Sequence, residues 1–99
     1  MTITDAQLSQ FRATLRNEEK SAATLEKYLR DVSRFALWLG DRPLNRDAML
    51  DYKAELMANY AAGSVNSILA ALSRFLCMVG HEECRVHRLR IQYQAYSPE

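Results

Sequence analysis

Ninety-nine residues hold 13 Lys and Arg against 12 Asp and Glu, a formal net charge of +1, with 48% hydrophobic and 25% charged residues. That size makes one domain with a modest core, and the composition is globular rather than disordered or fibrous. Near-balanced charge gives no global case for a nucleic-acid partner, so any such case rests on where the charges sit.

Four helices are expected. The first runs from Asp5 to Glu18: Thr4 and Gln7 have the form of a capping box, and Leu8, Phe11 and Leu15 make a narrow apolar stripe. The second runs from Ala22 to Leu39, with Ser21 as N-cap and Gly40 as stop. Its Leu25, Tyr28, Leu29, Val32, Phe35, Ala36 and Leu39 recur at helical spacing. Trp38 lies off that stripe and is expected to pack under the first helix or the 41–45 loop. After the loop DRPLN, Asn45 caps a third helix from Arg46 to Ala58, with Met49, Tyr52 and Leu56 inward. NYAAG then separates it from a fourth helix, capped by Ser64 and ended by Gly80, which buries Val65, Ile68, Leu69, Leu72, Phe75, Leu76 and Val79. Beyond Gly80 the helical period stops. RVHRLRIQY reads as an extended connector leaving the domain, with Arg85, Arg88 and Arg90 on it. The domain is placed at 1–91 and a linker at 92–99.

No apolar run approaches the ~18 residues of a membrane span. MTITDAQLSQ lacks the basic and apolar regions of a signal peptide. The expected compartment is the cytoplasm, where Cys77 and Cys84 are reduced thiols.

The polar faces carry the functional signal. Opposite its core stripe the second helix aligns Ala23, Lys27, Arg30 and Arg34. By itself this is an ordinary solvated face, with Lys27–Asp31 and Glu26–Arg30 at i, i+4. The third helix shows the reverse, an acidic column of Asp47, Asp51 and Glu55, which should be the back of any phosphate-binding surface. The fourth helix has Ser67, Ala70, Arg74 and Cys77 outward, flanked by Asn66 and Ser73, and no acidic residue at all. Small residues let another surface approach closely, and Asn and Arg suit base edges in a major groove. The competing explanation is a central helix crowded by neighbours.

Two stretches resemble a known family. SAATLEKYLRDVSRFALWLG is similar, through Ser21, Thr24, Tyr28, Asp31, Val32, Phe35, Trp38 and Leu39, to the S-x-x-T-x-x-x-Y-x-x-D-[LV]-x-x-F-x-x-[WF]-L pattern of the core-binding domain of tyrosine recombinases, or phage integrases. SVNSILAALSRFLCMVG resembles that domain's last long helix through Ser64, Val65, Asn66, Leu69, Ala70, Ala71, Leu72, Phe75 and Leu76. The resemblance implies an all-α, SAM-like orthogonal bundle of four helices. It implies half of a C-shaped clamp on double-stranded DNA, with the second and fourth helices toward the major groove. The partners implied are DNA, the catalytic domain of the parent chain and other recombinase protomers. Ser21, Thr24 and Lys27, then Ser64, Asn66 and Ser67, are the expected phosphate contacts, Lys27 as a mobile charge. Asn66 and Arg74 are also the candidates for base edges.

Catalysis in that family uses an Arg, a Lys, an H-x-x-R pair, a His or Trp and a nucleophilic Tyr in a later domain. None of these stands here as a motif, and Tyr93 and Tyr96 are not nominated, so DNA binding without cleavage is expected. No cofactor is expected. Cys77, His81, Cys84 and His87 offer four possible zinc ligands, but C-x3-H-x2-C-x2-H is not a common zinc pattern and no metal site is assigned. The main rival function is a helical protein–protein adaptor docking through the fourth helix. A helix-turn-helix repressor fits less well, because NYAAG is longer than its tight turn.

Overall fold

The computed structural model describes residues 3–89. Four α-helices follow in order: α1 (Asp5–Asn17), α2 (Ala22–Leu39), α3 (Arg46–Asn59) and α4 (Ala62–Met78), then a 3₁₀ turn at Glu82–Cys84. No strand occurs among the described residues, so the fold is an all-α four-helix bundle.

Side-chain caps explain most of the boundaries. Thr4 Oγ1 accepts from the Gln7 amide at 3.2 Å while Gln7 Oε1 accepts from the Thr4 amide at 2.9 Å, completing the capping box. Ser21 Oγ accepts from the Thr24 amide at 3.2 Å, and Asn45 Oδ1 from the Ala48 amide at 2.8 Å. Both α1 and α4 end in paired reverse bonds. Lys20 donates to the Leu15 carbonyl and Glu19 to that of Arg16; His81 donates to Leu76 and Gly80 to Cys77. The residue that turns the chain is Gly80 at φ +82° after α4, but Glu19 at φ +60° after α1.

The start of α4 differs from the sequence expectation. The helix begins at Ala62, so Ser64 lies inside its first turn and does not cap it. Alanine is the best helix former, and the Val65 amide bonds the Ala61 carbonyl at 3.0 Å, so the helix extends back through Gly63. The N-cap, Ala61, contributes no side-chain hydrogen bond.

The core is built on α2 against α4. Phe11, Leu15, Val32, Phe35, Val65, Leu72 and Phe75 are wholly inaccessible to solvent. Phe11 meets Phe75 edge-on with ring centroids 5.4 Å apart. Trp38 packs on Tyr52 of α3 at 5.0 Å, with the Arg42 guanidinium 4.4 Å over its ring. The loop is thus its neighbour as expected, and α3, not α1, is the other.

The segment after Gly80 also departs from expectation. It does not leave the domain at Arg85. Cys84 and Val86 join the core and Leu89 packs against it. Asn66 grips the Leu89 backbone from both ends of its amide: Nδ2 donates to the carbonyl at 2.9 Å and Oδ1 accepts from the amide at 2.7 Å. Lys53 of α3 donates to the His87 carbonyl at 2.5 Å. The segment is extended but strapped down. Arg90, Tyr93, Tyr96 and the 92–99 linker lie outside the described residues.

Candidate nucleic-acid interface

The α2–α4 seam opens on one side into a groove. Lys27, Arg30 and Arg34 line it from α2, Ser64, Ser67 and Ile68 from α4, and Tyr60 from the C-cap of α3. Five residues singled out from the sequence therefore meet in one place. Arg34 and Tyr60 also border a second hollow formed with Trp38, Tyr52, Glu55, Leu56 and Asn59, so the two run together. Burial beside Asp31 pushes the Tyr52 hydroxyl above its ordinary pKa, so it stays protonated as a donor.

The electrostatics of the groove centre on Asp31, the one charged residue buried among the described residues. Lys27 Nζ donates to Asp31 Oδ2 at 2.5 Å and to the Ser67 carbonyl at 3.0 Å. Lys27 is thus no mobile point charge, because it ties α2 to α4. Arg30 is exposed, with Nε 3.9 Å from Asp31 Oδ1. Arg34 is exposed and has no ion pair among the described residues. Lys27 neutralises the buried carboxylate, which leaves the two arginines as outward positive charge.

The open start of α4 adds to this. With no side chain capping the helix, the backbone N–H groups of its first turn remain available, and such amides with the helix dipole favour anions. The Ser64 hydroxyl sits on this turn, exposed rather than engaged as a cap. Thr24 lies about one turn before Lys27 on α2, and Ser21, the N-cap, nearly two turns before it. The Ser21 hydroxyl donates to Thr24 Oγ1 at 3.0 Å while capping the helix.

Farther along α4 the outer face differs from its sequence pattern. Ala70 is half-buried, Ser67 and Cys77 are exposed, and Arg74 forms a short ion pair with Glu18 from the end of α1. That hydrogen bond holds the Glu18 carboxyl below its usual pKa and raises that of Arg74. The face that lacks acid in sequence therefore has one in space. Asn66 is committed at both ends to Leu89, so its expected role at base edges gives way to a structural one. Arg85 and Arg88 are exposed but border a separate cleft with Ser73, Glu82 and His87. Arg85 Nε there donates to the Glu82 carbonyl at 3.3 Å.

The acidic column of α3 is exposed as expected, and Asp51 pairs with Arg42 at 2.8 Å. Tyr60 and Glu18 are groove and face residues that sequence reasoning did not assign, and Asp31, read there only as the i, i+4 partner of Lys27 and as a residue of the family pattern, is buried at the groove. An acid four residues after Lys27, inside an apolar stripe, was the available signal for Asp31. Tyr60 sits in a turn, and Glu18 needs the α1–α4 contact, so neither had one.

A compact bundle of four helices, joined by short loops and bearing a basic groove along its second and fourth helices, defines a small all-α domain of the SAM-like class. The model of the phage integrase N-terminal SAM-like domain family matches residues 8–83, from the first turn of α1 into the 3₁₀ turn, and the chain belongs to that family. No curated protein and no solved structure matches the chain. No helix among the described residues is long and apolar enough to cross a membrane.

Proposed function

We propose that this domain binds double-stranded DNA as the core-binding half of a tyrosine recombinase clamp, with a phosphate run seated in the α2–α4 groove. The observation that carries this reading is the convergence of Arg30 and Arg34 with the uncapped, serine-bearing start of α4. Arginine forks and helix N-terminal amides are both phosphate-binding groups. Asp47 and Asp51 of α3 then form the far side, while Glu55 borders the adjoining hollow beside Arg34. In this reading Arg30, Arg34, Ser64 and Ser67 meet the backbone directly, Ser21 and Thr24 extend the contact along α2, and Lys27 and Asn66 hold the surface in shape. Ala70 marks the close approach, and Arg74 reaches DNA when Glu18 releases it. Arg85, Arg88 and Arg90 contact DNA from the connector. Cleavage and rejoining belong to a separate catalytic domain of the parent recombinase, acting with other protomers on the site.

The adaptor reading lacks support on α4. The large apolar side chains most exposed among the described residues, Leu37, Leu50, Met57 and Tyr60, belong to α2, α3 and the α3 C-cap.

A single substitution tests the groove. Ser67 is exposed, so Ser67→Glu keeps the parent circular dichroism spectrum. The new carboxylate opposes phosphate, so duplex affinity falls well below the ~10⁻⁴–10⁻⁶ M typical of non-specific binding at physiological salt. A folded Ser67→Glu protein with parental affinity in fluorescence anisotropy removes the groove from the interface.

A further inference from the structure

The chain turns out of α4 at Gly80 and enters the 3₁₀ turn at once. That turn gathers three ligand types. The His81 imidazole, the Glu83 carboxylate and the Cys84 thiol each present one ligand atom, and all lie within 4.8 Å of one another. Glu83 Oε2 is 3.4 Å from His81 Nδ1 and 3.8 Å from Cys84 Sγ. We propose that His81, Glu83 and Cys84 form a binding site for a zinc-class divalent cation, with a water molecule as the fourth ligand.

The spacing supports an ion of that size. Around a tetrahedral centre with nitrogen and oxygen at ~2.0–2.2 Å and thiolate sulfur at ~2.3 Å, neighbouring ligand atoms stand roughly 3.3–3.7 Å apart. The 3.4 Å separation falls in that interval and the 3.8 Å separation lies just above its upper end. The third, bounded by 4.8 Å, closes with at most about one ångström of side-chain movement.

The donor set selects the metal. Thiolate with imidazole suits zinc and its neighbours, whereas magnesium and calcium take oxygen ligands. The ligands overlap the Cys–His run visible in the sequence only at His81 and Cys84: Glu83 joins them, and neither Cys77 nor His87 belongs to the cluster.

Burial places the ion at the surface with its sulfur ligand beneath. The Glu83 side chain is largely exposed and that of His81 partly so, while Cys84 is packed in the core. On binding, the Cys84 S–H bond breaks heterolytically: the proton leaves to solvent and the sulfur electron pair coordinates the cation. The bound ion ties this turn to the core and fixes the path of residues 85–89 over α3 and α4.

Cobalt(II) reads such a site directly in the full 99-residue chain, where Cys77→Ser leaves Cys84 as the sole thiol. The expected result is a thiolate-to-cobalt charge-transfer band in the near ultraviolet, displaced by equimolar zinc. Zinc, but not magnesium, raises the melting temperature, and EDTA reverses the rise. The disabling variant is His81→Ala/Glu83→Gln, which leaves the buried Cys84 in place and keeps the fold. Loss of supporting groups around a metal already costs ~10–100-fold in affinity, so loss of two direct ligands weakens cobalt binding by at least ~10-fold. Absence of the band in Cys77→Ser, or undiminished cobalt binding in the double variant, overturns the site.

Discussion

Lys27→Ala probes the contact that locks α2 to α4. Lys27 Nζ holds Asp31 Oδ2 at 2.5 Å and the Ser67 carbonyl at 3.0 Å, and Asp31 is only 3% exposed. Truncation leaves that carboxylate with Arg30 alone, whose Nε stands 3.9 Å away. Removing one partner of a fully buried pair costs ~3–5 kcal/mol. The Lys27 side chain is 29% exposed, so water and Arg30 recover part of this. A loss of about 2–3 kcal/mol remains, a large share of the roughly 5–15 kcal/mol that holds a domain together. In urea unfolding followed by circular dichroism, with a slope of roughly 1.5 kcal/mol/M, the midpoint falls by roughly 1.3–2 M. Replacing both partners, Lys27→Met with Asp31→Leu, recovers most of that loss because no charge is orphaned. A Lys27→Ala midpoint within ~0.3 M of the parent refutes the reasoning.

Three further outcomes are expected. Glu19→Gly relieves a left-handed backbone at φ +60° and stabilises the fold by about 0.5–1 kcal/mol, seen as a higher melting temperature; a lower one contradicts it. Asn66→Ala removes both bonds to the Leu89 backbone, costs ~1–2 kcal/mol, and speeds proteolytic cutting within 85–89 while the helices stay protected; an unchanged cleavage pattern denies the strap. Arg74 holds the Glu18 carboxyl below its ordinary value of 4.5, so the stabilisation from this pair is complete above that value and is lost as pH falls through the lowered folded-state pKa. Glu18→Gln lacks that increment, so between about pH 5 and 3 its urea midpoint falls less steeply than the parent's; identical slopes contradict the coupling.

The elements that could be read from sequence were those governed by local chemistry. Both boundaries of α2 follow from Ser21 and Gly40, and its buried stripe follows from spacing alone. The start of α4 misleads because Ala61, Ala62 and Gly63 look like a turn, yet alanine favours a helix and the cost of about 1 kcal/mol at Gly63 is outweighed once Val65 is buried. The segment after Gly80 has no period, and its anchors, Cys84, Val86 and Leu89, are scattered among charged residues. Its attachment depends on Asn66, whose partner lies 23 residues away. The cation column of α2 and the serines of α4 were legible as separate faces. Their meeting in one groove, the burial of Asp31 with Lys27 reaching across to the Ser67 carbonyl, and the arrival of Glu18 beside Arg74 are products of packing, which helix wheels do not contain.

The proposed DNA interface is the α2–α4 groove, not the α3 face. The direct measurement is duplex affinity by fluorescence anisotropy across ~50–200 mM salt, comparing Arg30→Ala/Arg34→Ala with Asp47→Asn/Asp51→Asn/Glu55→Gln. The arginine variant is expected to bind all duplexes more weakly and to lower the salt slope by about two, one for each phosphate that is no longer neutralised. The acid-neutralised variant is expected to bind at least as tightly as the parent. An unchanged slope in the first, together with weakened binding in the second, contradicts the account.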